Sequence, residues 1–259
     1  MKNLFPKLEF HYTYLIMALG FILVGYYKNL IIFTSIILIH ELGHYVTAKI
    51  LKFEVNKIII YPYGGLVKLN DSINKNSFQK LLVAISGVIF QCLFYFVFIF
   101  LTKYHIFNDY TINLFKNYHF SILFFNVLPI INLDGFKILN IVLSNFFPYR
   151  KSNIISIYVS FFFLIIFLII IKDNFNYTYI FIISIIIKNI YVFYSELEYL
   201  FNKFLLERYL VKYNFKKLKI VNNYKNMYKN CNHIIKVNKK YMKEEDFLKK
   251  MFDRTRHLW

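Results

Sequence analysis

Six stretches of the chain are long and apolar, at about 10–27, 30–51, 81–101, 120–145, 154–171 and 177–194. A helix needs about 20 such residues to cross the roughly 30 Å of a bilayer's hydrocarbon, so each stretch is expected to span a membrane. The first runs past the small residues Ala18 and Gly20 to Tyr27, which suits a retained span better than a cleaved leader. Between the second and third stretches lies "IIIYPYGGLVKL", residues 58–69. Its two strand-like runs, Ile58 to Tyr61 and Leu66 to Leu69, flank the turn signals Pro62 and Gly64-Gly65 and predict a β-hairpin. The pattern changes near Ser195, where Leu197, Leu200, Phe201, Phe204, Leu205 and Tyr209 recur at helical spacing, followed by a helix-then-strand pattern. The expected fold class is an α-helical polytopic membrane protein with about six transmembrane helices, a hairpin and a small cytoplasmic α/β tail. The domains are expected at 1–195 and 196–259.

Composition agrees and charge adds an orientation. The chain is 58% hydrophobic and 21% aromatic, far more apolar than a soluble domain of 259 residues, and carries a net charge of +18. Half of its 32 Lys and Arg follow residue 196, and six more lie in 49–80, whereas the alternate loops hold Lys28, Lys103, Lys116 and Lys172. The excess of positive charge places both termini in the cytoplasm, with the basic tail facing anionic lipid. Nucleic-acid binding would need a compact basic domain with its own motif, and none is visible. Cys92 and Cys231 imply no disulfide framework.

The chemistry lies in "IILIHELGHYVTAK", residues 36–49, where His40, Glu41 and His44 interrupt an oily run. Residues four apart share one helix face, so His40 and His44 can offer imidazole nitrogens to one metal ion. Glu41 can then reach the open coordination position without being a ligand. In the H-E-x-x-H pattern Zn²⁺ lowers the pKa of bound water to about 7 and the glutamate takes its proton. Ionisable groups at membrane depth are costly and mark function by default. The pentapeptide alone would also suit a chance arrangement at a membrane interface. A catalytic zinc usually takes three protein ligands, and "FFNVLPIINLDGFKIL", 124–139, offers Asp134 within an apolar run broken by Pro129 and Gly135. An interfacial aspartate capping a helix is the other reading of that residue.

Taken together, His40-Glu41-Leu42-Gly43-His44 and Asn126, Pro129 and Leu133-Asp134-Gly135 resemble the two signatures of the site-2 protease family of intramembrane zinc proteases, in order and approximate separation. "PYGGLVKL" at 62–69, "SILFFNVLPIINLDGFKIL" at 121–139, "FLLERY" at 204–209 and "CNHIIKV" at 231–237 resemble the sporulation branch of that family at similar spacings. The resemblance implies that His40, His44 and Asp134 ligate Zn²⁺ and that Glu41 is the general base. It implies a membrane-embedded hairpin beside the site, with Tyr61, Gly64, Gly65, Asn126 and Pro129 meeting an extended substrate; a bond to a neighbouring helix is the other reading of Asn126. It further implies a CBS-like tail, a membrane-associated sigma-factor precursor as substrate, inhibitory membrane partner proteins, and residence in a bacterial membrane, that around the forespore being one place for it. ATP sensing is left open, because about fifty tail residues are few for a CBS unit.

The family pattern is not followed throughout. Phe136 stands where a second glycine is usual, and Asn132 where proline is common. Neither is a ligand, so pocket shape is affected more than chemistry. Two other functions fit a membrane protein of this kind. An idle chaperone or scaffold would keep the fold and lose the metal constellation, and a metal transporter would distribute His and Asp along a path through several helices. Here these groups converge on two motifs.

Overall fold

The structure, a computed structural model, describes residues 7–62, 64–69, 72–171, 177–213, 215–237 and 240–255. The elements, in chain order, begin with β1 (Lys7–Phe10), α1 (Tyr12–Leu23), α2 (Tyr27–Ile50), β2 (Val55–Tyr61) and β3 (Gly64–Leu69). The helices α3 (Ser77–Thr102), α4 (Asp109–Val127), α5 (Asp134–Phe146), α6 (Tyr149–Ile171), α7 (Tyr177–Ser195) and α8 (Leu197–Leu210) follow. The chain ends on β4 (Leu218–Val221), β5 (Asn232–Val237), β6 (Lys240–Lys243) and α9 (Glu244–Thr255). Residues 1–71 and 81–127 make one compact unit, and residues 72–80 and 128–259 the other.

Among the described residues, three helices are long and apolar enough to cross a bilayer: Tyr27–Ile50, Ser77–Thr102 and Tyr149–Ile170. The chain is an integral membrane protein. The first apolar run forms a shorter helix than its length suggested. His11 caps α1 by accepting from the Thr13 amide, and Gly25, at φ 81°, turns the chain before α2 begins. Twelve residues reach about 18 Å at about 1.5 Å each.

In the first unit the expected hairpin is present, with Tyr61 opposite Gly64 and Ile58 opposite Val67. A third strand, which the sequence pattern did not suggest, lies parallel to it: β1 pairs Lys7 with Lys57 and Phe10 with Ile60. Lys57 donates to Glu9 across that pair at 2.5 Å. The sheet order is β1-β2-β3, so β3 is an edge strand. Ile58 and Ile60 of β2 pack on Ile37 and Tyr45 of α2 and Tyr14 of α1, fixing the sheet against the helix that carries the histidines.

The apolar run 120–145 is two helices, not one. Pro129 donates no backbone N–H and disfavours helix at Leu128, and Asn132 adopts φ 74°, a left-handed conformation that asparagine tolerates. Proline, held near φ −65°, could not adopt that conformation. The broken backbone is satisfied internally: the Ile131 amide donates to buried Ser160 Oγ at 3.0 Å, and the Leu133 amide to the Ile130 carbonyl at 3.0 Å. Phe136, the other departure, fills a cluster with Ile131, Ile157 and Leu197 and meets Phe193 edge-on.

In the second unit α8 buries Phe201, Phe204 and Leu205 against Val221, Met227, Ile235 and Leu248 of the tail. The tail sheet has order β4-β5-β6, with β4 parallel and β6 antiparallel to β5. At its heart is Arg208, buried, which donates to the carbonyls of Tyr228, Lys229 and Cys231 and pairs with Glu244 at 2.7 Å. The Tyr228 amide donates to His233 Nε2, so His233 carries its proton on Nδ1 and gives it to Glu244 Oε2 at 2.8 Å. Burial pushes the Glu244 carboxyl up, but the bond from His233 and the charge and bonds of Arg208 outweigh it and hold the group below its ordinary 4.5. A depressed carboxyl stabilises the fold above its unfolded value, and that contribution is lost as pH falls through the folded one. Tail stability, read by limited proteolysis across pH, is therefore expected to be flat above about pH 5 and to fall on further acidification. Arg208→Ala, which strands a buried carboxylate, should cost about 3–5 kcal/mol at neutral pH.

Candidate metal centre

One face of α2 is buried: Ile36, Ile37, His40, Glu41, Gly43, His44, Tyr45 and Ala48. The i and i+4 spacing brings the two imidazoles to one side, and their Nε2 atoms lie 3.1 Å apart. The proton positions follow from the other ring nitrogens. His44 Nδ1 faces the Val83 carbonyl at 2.7 Å, and a carbonyl only accepts, so Nδ1 carries the hydrogen. His40 Nδ1 faces Gln91 Oε1 at 3.0 Å, and Gln91 Nε2 donates to the His119 carbonyl at 3.0 Å. That carbonyl turns the amide nitrogen toward itself and the amide oxygen toward His40. A neutral ring with its hydrogen on Nδ1 has a lone pair on Nε2, and the two Nε2 atoms share one small space, an arrangement that suits a cation held between them.

Helix α3 builds the other wall of this space. Val83, Gly87 and Gln91 recur every four residues along one face, supplying a carbonyl, a gap and an amide in turn. A Cβ on Gly87 would collide with His44 Nε2 and lie 2.7 Å from His40 Nε2. Gly43 permits the close approach, since a Cβ there would be 2.6 Å from the Ser86 carbonyl oxygen and 2.8 Å from Phe90 Cβ. Glu41 is buried beside the histidines, with one ligand atom from each of the three residues within 4.8 Å of the others. The hairpin comes next to it: a Cβ on Gly65 would run into Glu41 and lie 2.7 Å from its Oε1.

His40, Glu41 and His44 are therefore brought together as the motif required. Gly65 abuts Glu41, and Gly64, at φ 149°, starts the edge strand. The Tyr61 ring lies tilted against His11, with ring centroids 4.7 Å apart. Asn126 is half-buried near the end of α4. Pro129 and Asp134 belong to the second unit. Asp134 opens α5, is buried, and pairs with Lys137 at 2.8 Å. The reading of the sequence missed Val83, Gly87 and Gln91. A signal was present for one of them, because Gln91 is the lone amide in the apolar run 81–101.

Two imidazoles and a carboxylate, buried together on a helix long enough to cross a bilayer, make a donor set that could hold a metal ion. Comparison with known proteins agrees. Peptidase family M50 matches residues 28–118. Stage IV sporulation protein FB of Bacillus subtilis (strain 168) is 30% identical over 215 residues, which cover 81% of this chain and 74% of that protein. The Site-2 Protease from Methanocaldococcus jannaschii shares the fold, with a TM-score of 0.59 over 73% of this chain and 92% of that one, at 19% identity. The chain belongs to peptidase family M50, the site-2 metalloproteases.

The gap at Gly87 gives a direct test. Gly87→Ala should favour helix by up to about 1 kcal/mol while placing a methyl group between the two Nε2 atoms. Bound zinc, measured by elemental analysis of purified protein, should fall from one per chain to near zero with helical content unchanged. A full complement of zinc in that variant would contradict the placement.

Proposed function

We propose that the chain is an intramembrane zinc metalloendopeptidase that cleaves a membrane-associated protein near the cytoplasmic membrane face. The observation that carries this reading is the pair of Nε2 lone pairs converging beside buried Glu41. His40 and His44 hold Zn²⁺, and Asp134 is the third ligand. When bound, the metal polarises the scissile carbonyl and makes water acidic enough to be deprotonated near neutral pH. Glu41 accepts that proton and returns it to the departing amide nitrogen. Burial of Glu41 under Gly65 keeps bulk water from competing for the carboxylate.

Proteolysis needs an extended peptide, because a helix hides its carbonyls. The edge of β3 is suited to add such a strand, with main-chain hydrogen bonds holding it beside Glu41. Gly64, Gly65 and Tyr61 line that path, and Asn126 and Pro129 contact the same substrate. The hairpin is embedded in the membrane, and α1, the α4 and α5 pair, and α7 lie in the bilayer with the three long helices, giving six segments and cytoplasmic termini. Residues 1–195 form the protease and 196–259 a recognition tail. The name of the sporulation relative supports a role in sporulation; a sigma-factor precursor as substrate, a location around the forespore and control by inhibitory membrane partners belong to the same proposal and rest on the resemblance of the sequence motifs.

Glu41→Gln tests the chemistry. The amide accepts no proton from water, so cleavage of a tethered precursor in proteoliposomes should fall by on the order of 10²- to 10⁴-fold or more with zinc retained. Near-normal cleavage would refute the assignment. Asp134→Ala should lose metal and activity together, and full zinc occupancy there would remove it from the ligand set.

A further inference from the structure

The residue that does most to prepare this centre lies outside both sequence signatures. We propose that Gln91 is a positioning residue, which holds His40 in the one tautomer able to bind a metal through Nε2. The inference rests on the metalloprotease reading given above and assigns a role to a residue of α3.

Gln91 is completely buried. Its carboxamide bridges two other helices, accepting from His40 Nδ1 of α2 and donating to the His119 carbonyl of α4, each at 3.0 Å. An unpaired amide buried in an apolar run is costly, so its place between these partners is not incidental. Direction is what matters. A free imidazole prefers no particular assignment of its proton strongly enough to guarantee an open Nε2. Here the sequence of constraints begins at a backbone carbonyl, which has no choice but to accept. The His119 carbonyl orients the amide, the amide oxygen demands a hydrogen on His40 Nδ1, and Nε2 is left with its lone pair facing His44 Nε2.

His44 receives the same treatment from the Val83 carbonyl, but by backbone, which substitution does not alter. Gln91 is therefore the point at which a side chain sets the preparation of the site. The bond also ties α4 to His40, and α4 contributes the stacked ring of His119, whose centroid lies 4.5 Å from that of Tyr95. That stacking steadies the segment whose carbonyl orients the amide.

The test compares Gln91→Met, which keeps length and loses both bonds, with Gln91→Glu, which restores an acceptor for the His40 Nδ1 hydrogen. Zinc affinity is measured by chelator competition on the purified full chain, with thermal unfolding as a check on folding. Gln91→Met should weaken zinc about 10- to 100-fold, and Gln91→Glu should stay within about 5-fold of the parent. Unchanged affinity in Gln91→Met, or equal losses in both variants, would overturn the proposal, since helix packing alone would account for the second result. Nitrogen-15 spectra of His40 in metal-free protein give a readout independent of zinc. The parent should show the Nδ1–H tautomer and Gln91→Met a mixture, and a mixture in the parent would refute the role. A parent that bound no zinc yet showed the Nδ1–H tautomer would instead count against the metalloprotease reading alone.

Discussion

Two imidazole Nε2 atoms held 3.1 Å apart, each ring with an acceptor behind it that keeps a hydrogen on Nδ1, are the constraint on which the rest of the structure depends. Such an arrangement is unfavourable without a cation, and it persists because the acceptors are built into a neighbouring helix. The neighbouring helix must come very close for a carbonyl and a glutamine to reach the rings. Gly43 on α2 and Gly87 on α3 make that possible, each sitting where any larger residue would strike its neighbour. The glycines are thus part of the metal chemistry even though neither carries a ligand atom.

The remainder of the first unit serves to bound this space. The hairpin is anchored by Ile58 and Ile60 against Ile37, about one turn before His40, and Tyr45, next to His44, and so Gly65 comes to rest on Glu41. In the second unit, apolar surroundings force every irregular backbone group to find a partner within the protein. The segment between α4 and α5 meets that demand through Ser160 and two tight turns, and Asp134 begins α5 directly after it. A helix break followed by a buried carboxylate is how a chain can present an acidic group at depth without exposing unsatisfied amides to lipid.

How much of this was legible in the sequence depended on whether a residue's meaning was local. His40, Glu41 and His44 were legible because helical spacing in an apolar run is sufficient to align them. The hairpin was legible from Pro62 and the paired glycines between two β-branched and apolar runs. Gln91 was not, because a glutamine in a span acquires its role only from the helix that packs against it. β1 escaped notice for a similar reason: Lys7 to Phe10 is four residues long and is a strand by virtue of β2 alongside. The run 120–145 is one apolar stretch by hydropathy, and Pro129 marked a break within it. What ends a helix there is the pairing of Pro129 with a left-handed Asn132, and a backbone angle is not written in a hydropathy profile.

The proposed centre is a hydrolytic zinc on His40, His44 and one carboxylate. Zinc K-edge X-ray absorption on the purified protein addresses it most directly. The account predicts a four-coordinate ion with imidazole scattering from two rings and nitrogen or oxygen neighbours at about 2.0–2.2 Å. A sulfur shell near about 2.3 Å, or a shell without imidazole, would contradict it.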